Sequence, residues 1–172
     1  MRLAVMTPNP RVLWLVPLCM TAHSLEEALF MRAALPAVNA VLTASPVGFL
    51  VPVNYPQFLI ALGVVTVIPY LVVALGALRC VSRLAVKLLV LVQTTMLLNV
   101  VFHMGAALAL RDYTPGLLTA LGLNLPFSIW LLRRAMRDKW ITPDVQFYFG
   151  LLALLLHGPA LVVLIYGAGT IG

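Results

Sequence analysis

The strongest constraint on this chain is the spacing of its apolar runs. Five stretches, at about 12–31, 57–78, 88–110, 115–132 and 145–168, are each long and apolar enough to span a bilayer as helix. A hydrocarbon core of ~30 Å takes about twenty residues at helical rise. The runs do not alternate over short segments as the strands of a membrane barrel would. Apolar residues make up 63% of the 172 residues and charged residues 9%, too few charges to cover a soluble domain and too few for a nucleic-acid surface. The sequence therefore predicts an all-α, polytopic integral membrane bundle of five transmembrane helices in a single domain. Its surroundings are the lipid bilayer, with no nucleic-acid partner.

Orientation follows from the basic residues. Arg2, Arg11, Arg79, Arg83, Lys87, Arg133, Arg134, Arg137 and Lys139 fall on one side of the five spans, and only Arg32 and Arg111 on the other. Positive residues mark cytoplasmic loops, so the expected topology is multi-pass in the cell membrane, N-terminus inside and C-terminus outside. The first run continues through Ala28-Leu29-Phe30, which points to a span and not to a cleaved secretory leader. Prolines at Pro17, Pro69, Pro126 and Pro159 fall inside four spans and should bend them. The third span has none and is expected to be the straightest and most central. Cys19 and Cys80 lie at different levels and read as two free thiols.

Residues 33–56 have no charge and four prolines. Too apolar for a linker, this segment is expected to be an outer lid or a re-entrant segment, with Phe49 and Tyr55 facing a substrate cavity.

Ionisable groups in hydrocarbon cost at least ~2.5–3.5 kcal/mol each on insertion scales, which makes every one a candidate for function. The first span holds His23, Glu26 and Glu27, and the third holds Thr95, Asn99 and His103 as a stripe with a four-residue period. Asn124 lies in the fourth span and His157 in the fifth. At ~1.5 Å per residue, His23, Asn99 and His157 come out ~18 Å from the cytoplasmic ends of their helices, and the glutamates and His103 at ~22–24 Å. Several helices thus place polar groups in one layer. Two adjacent carboxylates there need protonation, a charged histidine or a metal. Imidazoles with carboxylates suit zinc or iron, which makes His23, Glu26, Glu27, His103 and His157 the candidate ligands. Interhelical hydrogen bonding is the alternative role for Asn99 and Asn124.

The residues also resemble a known family. His23-Ser24-Leu25-Glu26-Glu27 reads HxxEE, Asn99 to His103 reads NxxxH, and Tyr113 to Thr119 reads YxPGxxT. In that order these are similar to the signatures of the HXXEE-motif membrane proteins. Where that family continues its second motif with a serine, this chain has Ala107, so no serine-dependent role carries over. The family has no assigned activity, and the resemblance implies a site without a chemistry. Pro115 suits the first turn of the fourth helix, and Tyr113 falls at the outer mouth as an interfacial anchor or as a cap on the cavity.

The leading functional expectation is an intramembrane metal-dependent enzyme acting on a lipidic substrate. His23, one glutamate, His103 and His157 would hold the metal, the other glutamate would be general base, and Asn99 would assist. Zinc hydrolysis is its simplest form, and iron-dependent oxidation uses the same ligands. Tyr113, Asn124, Phe49 and Tyr55 are the candidate substrate contacts. The alternatives are a metal-free acid/base isomerase or cyclase of an isoprenoid or sterol-like substrate, and a metal or proton transporter or lipid-binding protein.

Overall fold

The computed structural model describes residues 8–44, 52–77 and 82–169, and these are all-helical. Helix α1 runs Pro10–Ala44, α2 Tyr55–Ala77 and α3 Arg83–Leu110. Helix α4 is built from Leu117–Thr119, a π-helical turn Ala120–Asn124, and Leu125–Arg137. Helix α5 is built from Pro143–Leu155, a second π turn Leu156–Ala160, and Leu161–Ala168. Helices α2, α3 and α5 are long and apolar enough to cross a membrane.

The two π turns have an evident cause. Pro126 follows the first by one intervening residue and Pro159 lies inside the second. Proline supplies no N–H to the carbonyl one turn back, and widening the turn restores partners, as where Leu125 N–H reaches Ala120 O, five residues back. Helices α1 and α2 stay α-helical through Pro17, Pro36 and Pro69. Helix α3, without proline, is the central element. More than half of its most apolar window is buried within the protein, 56% against 17% for α2 and 6% for α5.

Two expectations need correction. Residues 33–44, expected to begin a lid, instead lengthen α1 by three turns; the helix ends at Ala44 and not near residue 31. Hydropathy measures how much of a helix suits hydrocarbon, not where its hydrogen bonding stops. Phe49 lies outside the described residues, as does Cys80. Val53 is clipped to α1 by Asn39: Asn39 Nδ2 donates to Val53 O (2.9 Å) and Val53 N–H to Asn39 Oδ1 (3.0 Å). The second correction concerns Pro115, which precedes α4 in a buried turn, so that the helix opens at Leu117.

The bundle is divided along its length. Near the start of α1, Leu13 and Val16 join Val73, Val86, Leu89, Val90, Leu131, Ala135, Trp140 and Ile141 in a continuous apolar core. Burying such side chains contributes about 1.5–3 kcal/mol each against an aqueous reference; between helices already in lipid, close packing and hydrogen bonds take over that role. Single interhelical hydrogen bonds tie the middle: Gln93 Nε2 to Ser128 Oγ (2.7 Å), Gln146 Nε2 to Thr94 Oγ1 (3.2 Å), and Ser24 with Thr66 (2.8 Å). Towards the C-terminal half of α3 the interior turns polar, and the candidate site lies there.

Candidate metal centre

Helix α1 sends its acidic pair in two directions. Glu27 follows His23 by four residues and Glu26 by three, which places them on either side of the imidazole, about 100° apart around the helix. Glu27 turns toward α3, where Asn99 and His103 share a face by the same four-residue spacing. Glu26 turns toward the start of α4.

On the α3 side, Glu27 bridges two imidazoles. Its Oε2 lies 3.8 Å from His23 Nε2 and its Oε1 3.4 Å from His103 Nε2. The two rings meet edge to face with centroids 4.9 Å apart. One donor atom from each of His23, Glu27 and His103 fits within a 4.8 Å set. Asn99 Nδ2 lies 2.7 Å from His23 Nε2.

The tautomer of His23 follows from its other nitrogen. Nδ1 is 2.9 Å from Thr119 Oγ1, and that hydroxyl donates its proton to Gly116 O (3.2 Å). A hydroxyl has one proton, so toward His23 it accepts, and Nδ1 carries the hydrogen. Nε2 is thereby the acceptor, and its one lone pair takes the Asn99 Nδ2 donor; this is the tautomer of a metal-binding histidine, and a metal at Nε2 would displace the Asn99 amide.

Glu26 is occupied otherwise. Its Oε1 accepts from Tyr113 OH (2.5 Å) and Leu118 N–H (3.0 Å), and its Oε2 from Thr119 N–H (2.7 Å). The amides are unpaired donors of the first turn of α4, where the helix dipole also favours an anion. Burial, and then the carboxylate it donates to, push the Tyr113 phenol up to about 12, so it remains a proton donor across the physiological range. The need to neutralise two carboxylates, which argued for metal or protonation, is met for Glu26 by this clasp.

The turn before α4 makes the clasp possible. Arg111 takes a left-handed conformation (φ 52°) and ends α3, with its N–H on Ala107 O. Asp112 N–H bonds the same carbonyl (3.3 Å). Position 107 thus contributes its backbone, which alanine supplies as well as serine. Gly116 has φ 90° and is pressed against the cluster. A Cβ there would fall 2.7 Å from His103 Cε1, 2.8 Å from His23 Cε1 and 3.0 Å from Glu27 Cγ.

All three sequence motifs therefore meet at one place, and every lettered position but Pro115 has a contact that explains it. HxxEE supplies two cluster residues and the clasped carboxylate. NxxxH supplies the facing pair, and YxPGxxT supplies the clasp donor, the glycine floor and the histidine's orienting hydroxyl. The sequence matches the family described as "Protein of unknown function with HXXEE motif" over residues 14–131. The chain belongs to the HXXEE family. No curated protein and no solved structure matches it.

The remaining candidates of this HXXEE protein are placed as follows. His157, in the second π turn, packs on Phe102 with centroids 4.7 Å apart. It lies within electrostatic reach of His103, Glu27 and His23 but outside their donor set. Asn124 is fully buried, and neither of its side-chain polar atoms has a partner among the described residues. Tyr55 donates to Ala28 O (2.7 Å), pinning α2 to α1 one residue beyond Glu27. Sequence reasoning missed Gly116 and Thr119 as members of the site, although both stand in the third motif. Their roles depend on a backbone dihedral and on a hydroxyl's single proton, which no helical stripe reveals.

Proposed function

We propose that this HXXEE protein is an intramembrane enzyme with one metal ion held by His23, Glu27 and His103, acting on a hydrophobic substrate drawn from the bilayer. One observation carries the reading. Ligands ~2.1 Å from a tetrahedral ion stand ~3.4 Å apart; one donor atom from each of the three residues lies within 4.8 Å of the others, and the two oxygens of Glu27 face His103 (3.4 Å) and His23 (3.8 Å) separately, so a small inward shift of the side chains would close them round one ion. The oriented tautomer of His23 supports it independently. Two histidines and one carboxylate with open positions suit zinc, or the iron of non-haem oxygenases. The clasp on Glu26 takes away the base that the simplest zinc hydrolase would use, which favours iron-dependent oxidation over hydrolysis. The membrane setting is read as five spans, α1 and α4 included, with the N-terminus cytoplasmic and the ligands in the outer half.

Elemental analysis of protein purified without chelator tests this. Wild type and Glu26→Gln should each hold about one zinc or iron per chain, and Glu27→Gln and His103→Gln should hold none. Metal-free wild type, or metal retained by Glu27→Gln, would overturn the metal centre. The first result would favour proton transfer through Glu27 and the two imidazoles, as in an isomerase.

A further inference from the structure

Helix α4 carries a second feature, far along the helix from the clasp. Pro126, Ile129, Trp130, Arg133, Arg134 and Arg137 recur at three- and four-residue intervals, which sets them along one side of the helix. Together they line an open groove of about 540 Å³. Its first half is apolar and exposed, and its second half is cationic. From residue 126 to 137 the helix rises ~16 Å, about the depth of one leaflet's hydrocarbon.

The polar end is built for a phosphate. Asp138 takes the Nε of Arg134 (3.2 Å) and of Arg137 (2.9 Å), which leaves the terminal guanidinium nitrogens of both outside those two bonds. Arg133 is exposed and has no carboxylate partner among the described residues. Three guanidinium groups therefore face one carboxylate. Arginine forks match phosphate oxygens in pairs, which lysine cannot do. Trp130 stands where the groove changes character, stacked on Phe127 (5.7 Å) with the Arg134 guanidinium 5.4 Å over its ring. Tryptophan is the side chain typical of the headgroup boundary.

We propose that this groove is a binding site for an anionic phospholipid. An acyl chain lies along Pro126, Ile129 and Trp130, and the headgroup phosphate sits between Arg133 and Arg137. The order of residues along the stripe selects this occupant: a soluble anion would use only the arginines, and a neutral lipid only the apolar half. The site stands apart from the metal centre and holds whether or not that reading does.

The test uses the full chain in phosphatidylcholine nanodiscs, titrated with phosphatidylglycerol and read by native mass spectrometry for bound lipid. Phosphatidylglycerol should be retained in preference to phosphatidylcholine. At roughly fivefold per basic residue near a membrane surface, Arg133→Gln should weaken retention about fivefold and Arg133→Gln/Arg137→Gln about thirtyfold. Arg133→Gln breaks no ion pair and keeps the test valid should the double variant fail to fold. Arg83→Gln/Lys87→Gln, an equal charge change on α3, should cost less than about threefold because it lies outside the groove. Equal retention of the two lipids, or equal losses in the α3 and α4 double variants, would overturn a built site in favour of diffuse surface charge. Displacement of phosphatidylglycerol by inorganic phosphate at equal concentration would overturn the lipid assignment in favour of a soluble anion.

Discussion

Replacing Gly116 with alanine is the smallest change that should take the site apart. Two costs act at once. A left-handed backbone conformation costs an L-residue about 1–2 kcal/mol, and Gly116 stands at φ 90°. The new methyl would also overlap His103, His23 and Glu27 at 2.7, 2.8 and 3.0 Å, and forcing an extra carbon into a packed interior costs about 1–3 kcal/mol. Reduced freedom of the unfolded chain returns about 0.4–1 kcal/mol. The net loss is about 1–4.5 kcal/mol, or roughly 2–18 °C in Tm for a chain of this size. Because the methyl must displace three cluster side chains together, metal content should fall further than lost stability explains. Thermal unfolding in one fixed detergent, with metal analysis of the folded fraction, measures both. Gly150→Ala is the control: it lies within α5 with nothing within 4 Å of its added carbon, and its Tm should not fall. A Gly116→Ala protein with wild-type Tm and full metal content would refute the packing argument.

Two further outcomes are expected. Thr119→Val keeps the backbone N–H on Glu26 but removes the hydroxyl that orients His23, so metal affinity should fall about 10–100-fold while Thr119→Ser stays near wild type; competition with a chelator of known affinity would show it, and equal affinities for Val and Ser would dismiss the tautomer argument. For topology, Cys80 lies between Arg79 and Arg83 and should react in intact cells only with membrane-permeant thiol reagents. Cys19 is buried and adds little background, and labelling of Cys80 by an impermeant reagent would invert the orientation.

What the sequence made legible was what helical periodicity controls. Four-residue spacing put His23 with Glu27 and Asn99 with His103, and counting along each helix put the pairs at one depth. The same arithmetic set Glu26 and Glu27 astride His23 but could not say that they part company, because Glu26's partners are two backbone amides and a phenol from a turn about ninety residues away. Backbone donors are identical at every residue, so nothing in the composition marks which helix end will point at a carboxylate. Helix length was misjudged where Pro36 and the scarcity of charge imitate a loop; in an apolar setting a proline removes one donor and the helix continues. Prolines flagged the π turns as places of irregularity without saying that a widened turn would result.

The clasp on Glu26 also bears on how the chain enters a membrane. Helix α1 is absent from the helices that qualify as spans by apolar character, and its His-x-x-Glu-Glu segment is part of the reason. In the five-span reading this helix would be inserted before α4, with two carboxylates whose cost is about 2.5–3.5 kcal/mol apiece for Asp-like groups at a helix centre. The donors that satisfy Glu26 lie 87 to 93 residues later in the chain. On that reading Glu26 would be without these partners until α4 is made, and protonation or a place near the headgroups would have to carry it until then. The last clasp donor, Thr119, precedes all of α5, so on that reading Glu26 would have every partner before α5 is made.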